Sequence, residues 1–174
     1  VDHQEVQLFL FEMGELKASD KHTGEEIRKL KRGRGSSNGH GGRGGAPISS
    51  QHEEEAIRRN LREAVQATKK FWKKHEPRHL IIAGSDPTIT QFQEALSKQL
   101  QEKIIGTFNA DMTATDHEIR KHSLGILKKT EEKRASDVVD AVFTAAAKGQ
   151  SGVIRLADTL SAAHEGRIQT LVIA

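Results

Sequence analysis

Between Gly33 and Gly45, seven of thirteen residues are glycine. From Arg28 to His52 the chain carries six Arg or Lys residues and no acid. Such a segment cannot form a packed core: glycine is the costliest residue to order, and apolar side chains that would offset the cost are scarce. Whatever folds must lie on either side of it. Lys31 to Pro47 therefore reads as a disordered or mobile loop, and at Ser49 the composition turns to a polar helical run reaching about His75.

Before the loop, residues 5–12 (EVQLFLFE) read as a strand with Val6, Leu8 and Leu10 on one face, turning at Met13-Gly14. Residues 15–19 read as the return strand. After it, Ser50 with Glu53 predicts a capping box. Ile57, Leu61, Ala64, Val65, Thr68 and Trp72 then form one stripe at helical spacing, and lysines and Pro77 close the helix. Residues 79–84 (HLIIAG) have the continuous apolar character of a buried parallel strand. Asp86-Pro87 predicts an N-cap and first helical residue, with Ile89, Phe92, Leu96 and Leu100 inward. Residues 103–108 read as the next strand.

Thr115 and Glu118 predict a second capping box. It opens a helix with Ile119, Ile126 and Leu127 on one side, persisting to Lys148 and stopped by Gly149. That length predicts a bend or domain boundary near Glu131 to Ser136. Residues 152–155, a helix at about 156–164 and a strand in RIQTLVIA would restart a β-α-β rhythm. The expected fold class is therefore α/β: a mixed β-sheet with flanking helices over residues 1–134, then the start of a second small α/β domain over 135–174. The apolar run at the C-terminus predicts a piece of a longer polypeptide.

With 174 residues, 35% hydrophobic content and 4% aromatic, a modest core with much exposed helix surface is expected. The net charge is only +3, so the basic segment is a local patch suited to phosphate backbone. The absence of cysteine excludes disulfides, thiol nucleophiles and Cys-based zinc sites. No apolar run approaches membrane-spanning length, and the default reading is a cytoplasmic protein without membrane contact.

The order of these features resembles the archaeo-eukaryotic class-1 peptide chain release factors, most closely their bacterial relatives. The resemblance rests on HGGRGGAP (residues 40–47) opening onto EEEAIRRNLREAV, then LIIAGS (80–85), KIIGTF and the stretch 145–174. It implies an RNase H-like middle domain and the start of the family's third domain. In that family a Gly-Gly-Gln motif enters the ribosomal peptidyl-transferase centre and promotes hydrolysis of peptidyl-tRNA. Gly44 and Gly45 match the glycines and Arg43 the preceding basic residue, whereas the glutamine position is Ala46. Gln51 could substitute only if the loop folds back. The resemblance implies the ribosome, through large-subunit rRNA, and peptidyl-tRNA as partners, and a translational GTPase besides. Lys31, Arg32, Arg34, His40 and Arg43 would contact RNA. No cofactor and no metal is implied. Two other readings stand beside it: a non-enzymatic ribosome-binding rescue or hibernation factor, and a general RNA-binding module.

Other signatures weigh less. GSSNG (35–39) fits G-x-S-x-G and GHGGRG (39–44) fits G-x-G-x-x-G, but neither follows a strand as its chemistry requires. His75 and His79 have Pro77 between them, and His117 and His122 do not share a helix face well, so no metal site is expected. Trp72 and Phe71 read as packing residues. The turn Gly84-Ser85-Asp86 reads as a strand-to-helix connection.

Overall fold

The computed structural model describes residues 1–27 and 48–173, with the backbone only for 48–51. Strand β1 (Glu5–Glu12) pairs antiparallel with β2 (Glu15–Thr23), Glu12 facing Glu15 across a two-residue turn. Met13 and Gly14 both have positive φ, 49° and 81°. That is the type I′ geometry whose twist matches a hairpin. The return strand reaches Thr23 rather than stopping at Ser19, because the whole of β1 offers backbone partners.

Helix α1 (Ile48–His75) is the next described element. Ser50 is its third residue and so is not the expected N-cap, a position that requires extended rather than helical backbone. The helix ends where Glu76 takes a φ of 47° and donates its N–H to the Trp72 carbonyl, with Pro77 next. Strand β3 (Leu80–Gly84) leads to α2 (Asp86–Ala95), a four-residue α3 (Lys98–Gln101) and β4 (Ile104–Asn109), which pairs parallel with β3.

Three differences from the sequence reading have local causes. Ser85, not Asp86, is the N-cap of α2, and Asp86 falls in the first turn. The expected single helix breaks at Leu96 and Ser97, both extended; the Gln101 side-chain amide donates to the Gln93 and Leu96 carbonyls and so satisfies the end of α2. In place of the expected mixed sheet, the described residues form two separate two-stranded sheets. Val1 N donates to the Ala83 carbonyl at 2.6 Å, but the Asp2 N–H turns back to Glu5 at 2.8 Å, so the chain leaves β3 before a ladder forms.

The core gathers Val6 from β1, Ala64 and Val65 from α1, Ile82 from β3, Ile89 and Phe92 from α2, and Leu96 and Leu100 beyond it. All four apolar residues expected inward after Pro87 are buried. Trp72 packs at the edge of this cluster, as expected.

Helix α4 (Asp116–Ala147) starts with the expected box. Glu118 Oε2 accepts from the Thr115 N–H and hydroxyl, both at 2.9 Å, while the Glu118 N–H donates to Thr115 Oγ1 at 3.3 Å. The helix is assigned without interruption through Glu131 to Ser136. It ends in a Schellman arrangement, with Gln150 N–H on the Ala145 carbonyl and Gly149 at φ 65°. The chain separates into two compact units, Val1–Leu124 and Gly125–Ala174. In the second, α5 (Leu156–His164) forms where expected. Neither 152–155 nor RIQTLVIA forms a strand, because a strand is stable only against a partner and none is present among the described residues.

Candidate functional site

Lys31, Arg32, Arg34, His40, Arg43, Gly44, Gly45 and Ala46 lie outside the described residues. Gln51 belongs to the first turn of α1 by its backbone. What the structure defines is how the chain enters and leaves this segment.

The departure is held by Asn60, a polar residue only 4% exposed in the middle of α1. Its side-chain carbonyl accepts the Glu25 N–H at 2.8 Å, and its amide donates to the Glu25 carbonyl at 2.9 Å. One side chain thus satisfies both backbone groups of one residue, as a neighbouring strand would. Arg59 Nη1 adds a bond to the Glu25 carboxylate at 2.8 Å. Gly24 makes the approach feasible: a Cβ there would meet Asn60 Oδ1 at 2.3 Å. Just before it, the Gly24 N–H bonds the Gln4 carbonyl, and His22 Nε2 lies 3.2 Å from Glu63 Oε2.

The return is at Ile48, twelve residues or about 18 Å of helix ahead of Asn60. Between residues 52 and 59 no side chain of α1 is buried; burial begins at Asn60. The segment is therefore bounded on one side by a clasp and on the other by a helix whose described side chains ahead of Asn60 are not buried. Sequence reading missed Asn60, since an Asn inside a helical stripe looks like a weak helix former. A Gly-Glu pair ending a strand opposite it is the signal that pairs with it.

The other candidates resolve individually. The Gly84 turn is occupied by the chain itself, because a Cβ at Gly84 would meet the Val1 carbonyl at 2.4 Å. His75 packs against Phe71, ring centroids 4.6 Å apart, and His122 stacks on Phe108 at 5.2 Å. Among the described residues, no group of three or more His, Asp or Glu could hold a metal ion. An open cavity of about 440 Å³ lies at the carboxyl end of β4, against Asn109, Asp111, Glu118 and His122. Its Glu118 carboxyl is held below its ordinary pKa, first by the Thr115 backbone N–H and then by the Thr115 hydroxyl. Among the described residues no helix is long and apolar enough to cross a membrane.

The described parts are a hairpin, a long helix and a β-α-β unit, in the order expected from the sequence resemblance. The chain belongs to the bacterial archaeo-eukaryotic release factor family 10, whose model matches residues 1–127. Comparison with curated proteins finds no match. Membership makes this a translation-related factor and implies interaction with the ribosome.

Proposed function

We propose that the segment 40–47 is directed at the peptidyl-transferase centre of the large ribosomal subunit and acts on peptidyl-tRNA there, in termination or rescue. The observation that carries this reading is the order of the parts: the basic glycine segment sits between the Glu25 backbone held by Asn60 and the start of α1, inside the stretch matched by the family. Paired glycines at 44 and 45 permit backbone conformations closed to other residues and close approach to RNA. The N–H of Ala46 is a donor for charge developing on the ester oxygen, in the manner of an oxyanion hole. Lys31, Arg32, Arg34, His40 and Arg43 contribute sequence-independent attraction to rRNA phosphates. In this reading residues 1–134 are the RNase H-like middle domain and 135–174 begin the third, which offers a surface to a translational GTPase in the cytoplasm.

A second reading is favoured by one feature of the sequence. Ala46 lacks the amide that the family motif uses to place water, and Pro47 removes the next backbone donor. A protein with that pair occupies the centre without hydrolysing the ester, as a rescue or hibernation factor would. Single-turnover release of peptide from ribosome-bound peptidyl-tRNA decides between them. Wild-type release comparable to that of Ala46→Gln, and abolished in Gly45→Val, establishes hydrolysis. Release by Ala46→Gln alone establishes the non-enzymatic reading, and failure to co-sediment with ribosomes at low salt rejects both. Gln51→Ala serves as the control for a substitute amide.

A further inference from the structure

The last three turns of α1 carry a second basic feature, distinct from the glycine-rich segment. From Ala64 to His75 the helix contains no acid, and Lys69, Lys70, Lys73 and Lys74 follow in close succession. The inward stripe is Leu61, Ala64, Val65, Thr68 and Trp72, so these lysines fall on the opposite, solvent side of the helix, and all four are exposed. Arg78, just past the helix, is exposed as well. None of the five makes an ion pair among the described residues.

Cations in a final turn complement the helix dipole, and one or two lysines would do so. Here Lys69–Lys73 and Lys70–Lys74 are like-charge pairs at i, i+4 spacing, about 6 Å apart along the axis, and such pairs repel. The chain tolerates two of them with no acid alongside, whereas the first half of the same helix places Glu53, Glu54 and Glu55 among its cations. A polyanion bound along this face removes the repulsion. The neighbouring aromatics Phe71 and Trp72 are half-buried, Phe71 against His75 and Trp72 against the core, so no fully exposed apolar group accompanies the charge as it would in a membrane-binding helix.

We infer that the lysine face of α1 (Lys69, Lys70, Lys73, Lys74, with Arg78) is an RNA-backbone contact surface, separate from the glycine segment. It begins about 30 Å along α1 from Ile48. The inference does not rest on the hydrolytic reading, and its test uses no release assay. Binding of the whole chain to a 20-nucleotide oligouridylate is measured against salt concentration. Each phosphate contact on single-stranded nucleic acid contributes about 0.7 to the slope of log K on log salt, so losing four flattens it by about 3. The quadruple variant Lys69/Lys70/Lys73/Lys74→Gln is expected to lose at least tenfold in affinity at low salt. The corresponding Lys→Arg variant binds like wild type. Each Gln double variant (69 with 73, 70 with 74) gives about half the change, and circular dichroism verifies its fold. Lys121/Lys128/Lys129/Lys133→Gln on α4 alters net charge equally and retains binding. An unchanged slope in the α1 variants overturns the proposal. So does an equal loss in the α4 variant, which would make the effect one of net charge. Binding of polyglutamate or phosphatidylserine vesicles as tight as that of RNA also overturns it.

Discussion

At the scale of single residues, Asn60 and Gly24 are the positions where one side chain decides a backbone path. Asn60→Ala leaves the Glu25 N–H and carbonyl without protein partners beside a buried helix face. The expected cost is about 1–3 kcal/mol in chemical denaturation, together with faster hydrogen exchange at the Glu25 amide. Asn60→Asp places a buried carboxylate oxygen against the Glu25 carbonyl and should cost at least as much as Ala at neutral pH. Gly24→Ala forces a Cβ onto Asn60 Oδ1 and should cost at least as much. Glu5 gives a pH dependence with a definite sign. The bond from Lys21 holds its carboxyl below the ordinary value, ahead of smaller contributions from Gln7 and Thr23. Its folded pKa is therefore depressed, so its stabilisation is complete above the unfolded carboxylate pKa and is lost as pH falls through the folded one. The denaturation midpoints of wild type and Glu5→Gln should converge as pH falls through and below the ordinary carboxylate range.

Among the elements, helix ends offer the clearest measurement. Glu76 holds a left-handed backbone at the end of α1 that glycine adopts without steric cost, so Glu76→Gly is expected to stabilise by about 1 kcal/mol. Gly149→Ala and Gly166→Ala, at φ 65° and 66°, should each destabilise by a similar amount in the same denaturation series. Elements with a local chemical signature were legible in the sequence: the Met13-Gly14 turn, the Thr115–Glu118 box and the stripe of α1 all depend on residues a few positions apart. What was not legible depends on partners far along the chain. The break between α2 and α3 is held by Gln101 reaching back to Gln93, and the separation of the two sheets turns on the path of Asp2 to Gln4. The apolar runs at 152–155 and in RIQTLVIA have strand composition but no strand to pair with among the described residues. At the candidate site, the charge and glycine content of the segment announced themselves, whereas Asn60 could be identified only once Glu25 was seen against it.

For the whole molecule, the distribution of buried apolar residues predicts unequal stability in the two units. Every residue of the main core cluster, from Val6 to Leu100, lies in Val1–Leu124. Among the described residues of Gly125–Ala174 the buried set contains Ala162 alone, while Phe143, Leu156, Leu160 and Ile173 are each more than half exposed. Burial of apolar area is the dominant favourable contribution to folding, about 25 cal/mol per Å², so the second unit has far less to set against its conformational entropy. Two denaturation transitions are expected, the first assigned to residues 125–174 by hydrogen exchange. A chain ending at residue 127, the limit of the family match, should keep the second transition within about 1 kcal/mol and should still bind oligouridylate through Lys69, Lys70, Lys73 and Lys74. A single transition shared by both units would show that the folding cooperativity extends beyond the core formed by β1, α1, β3 and α2.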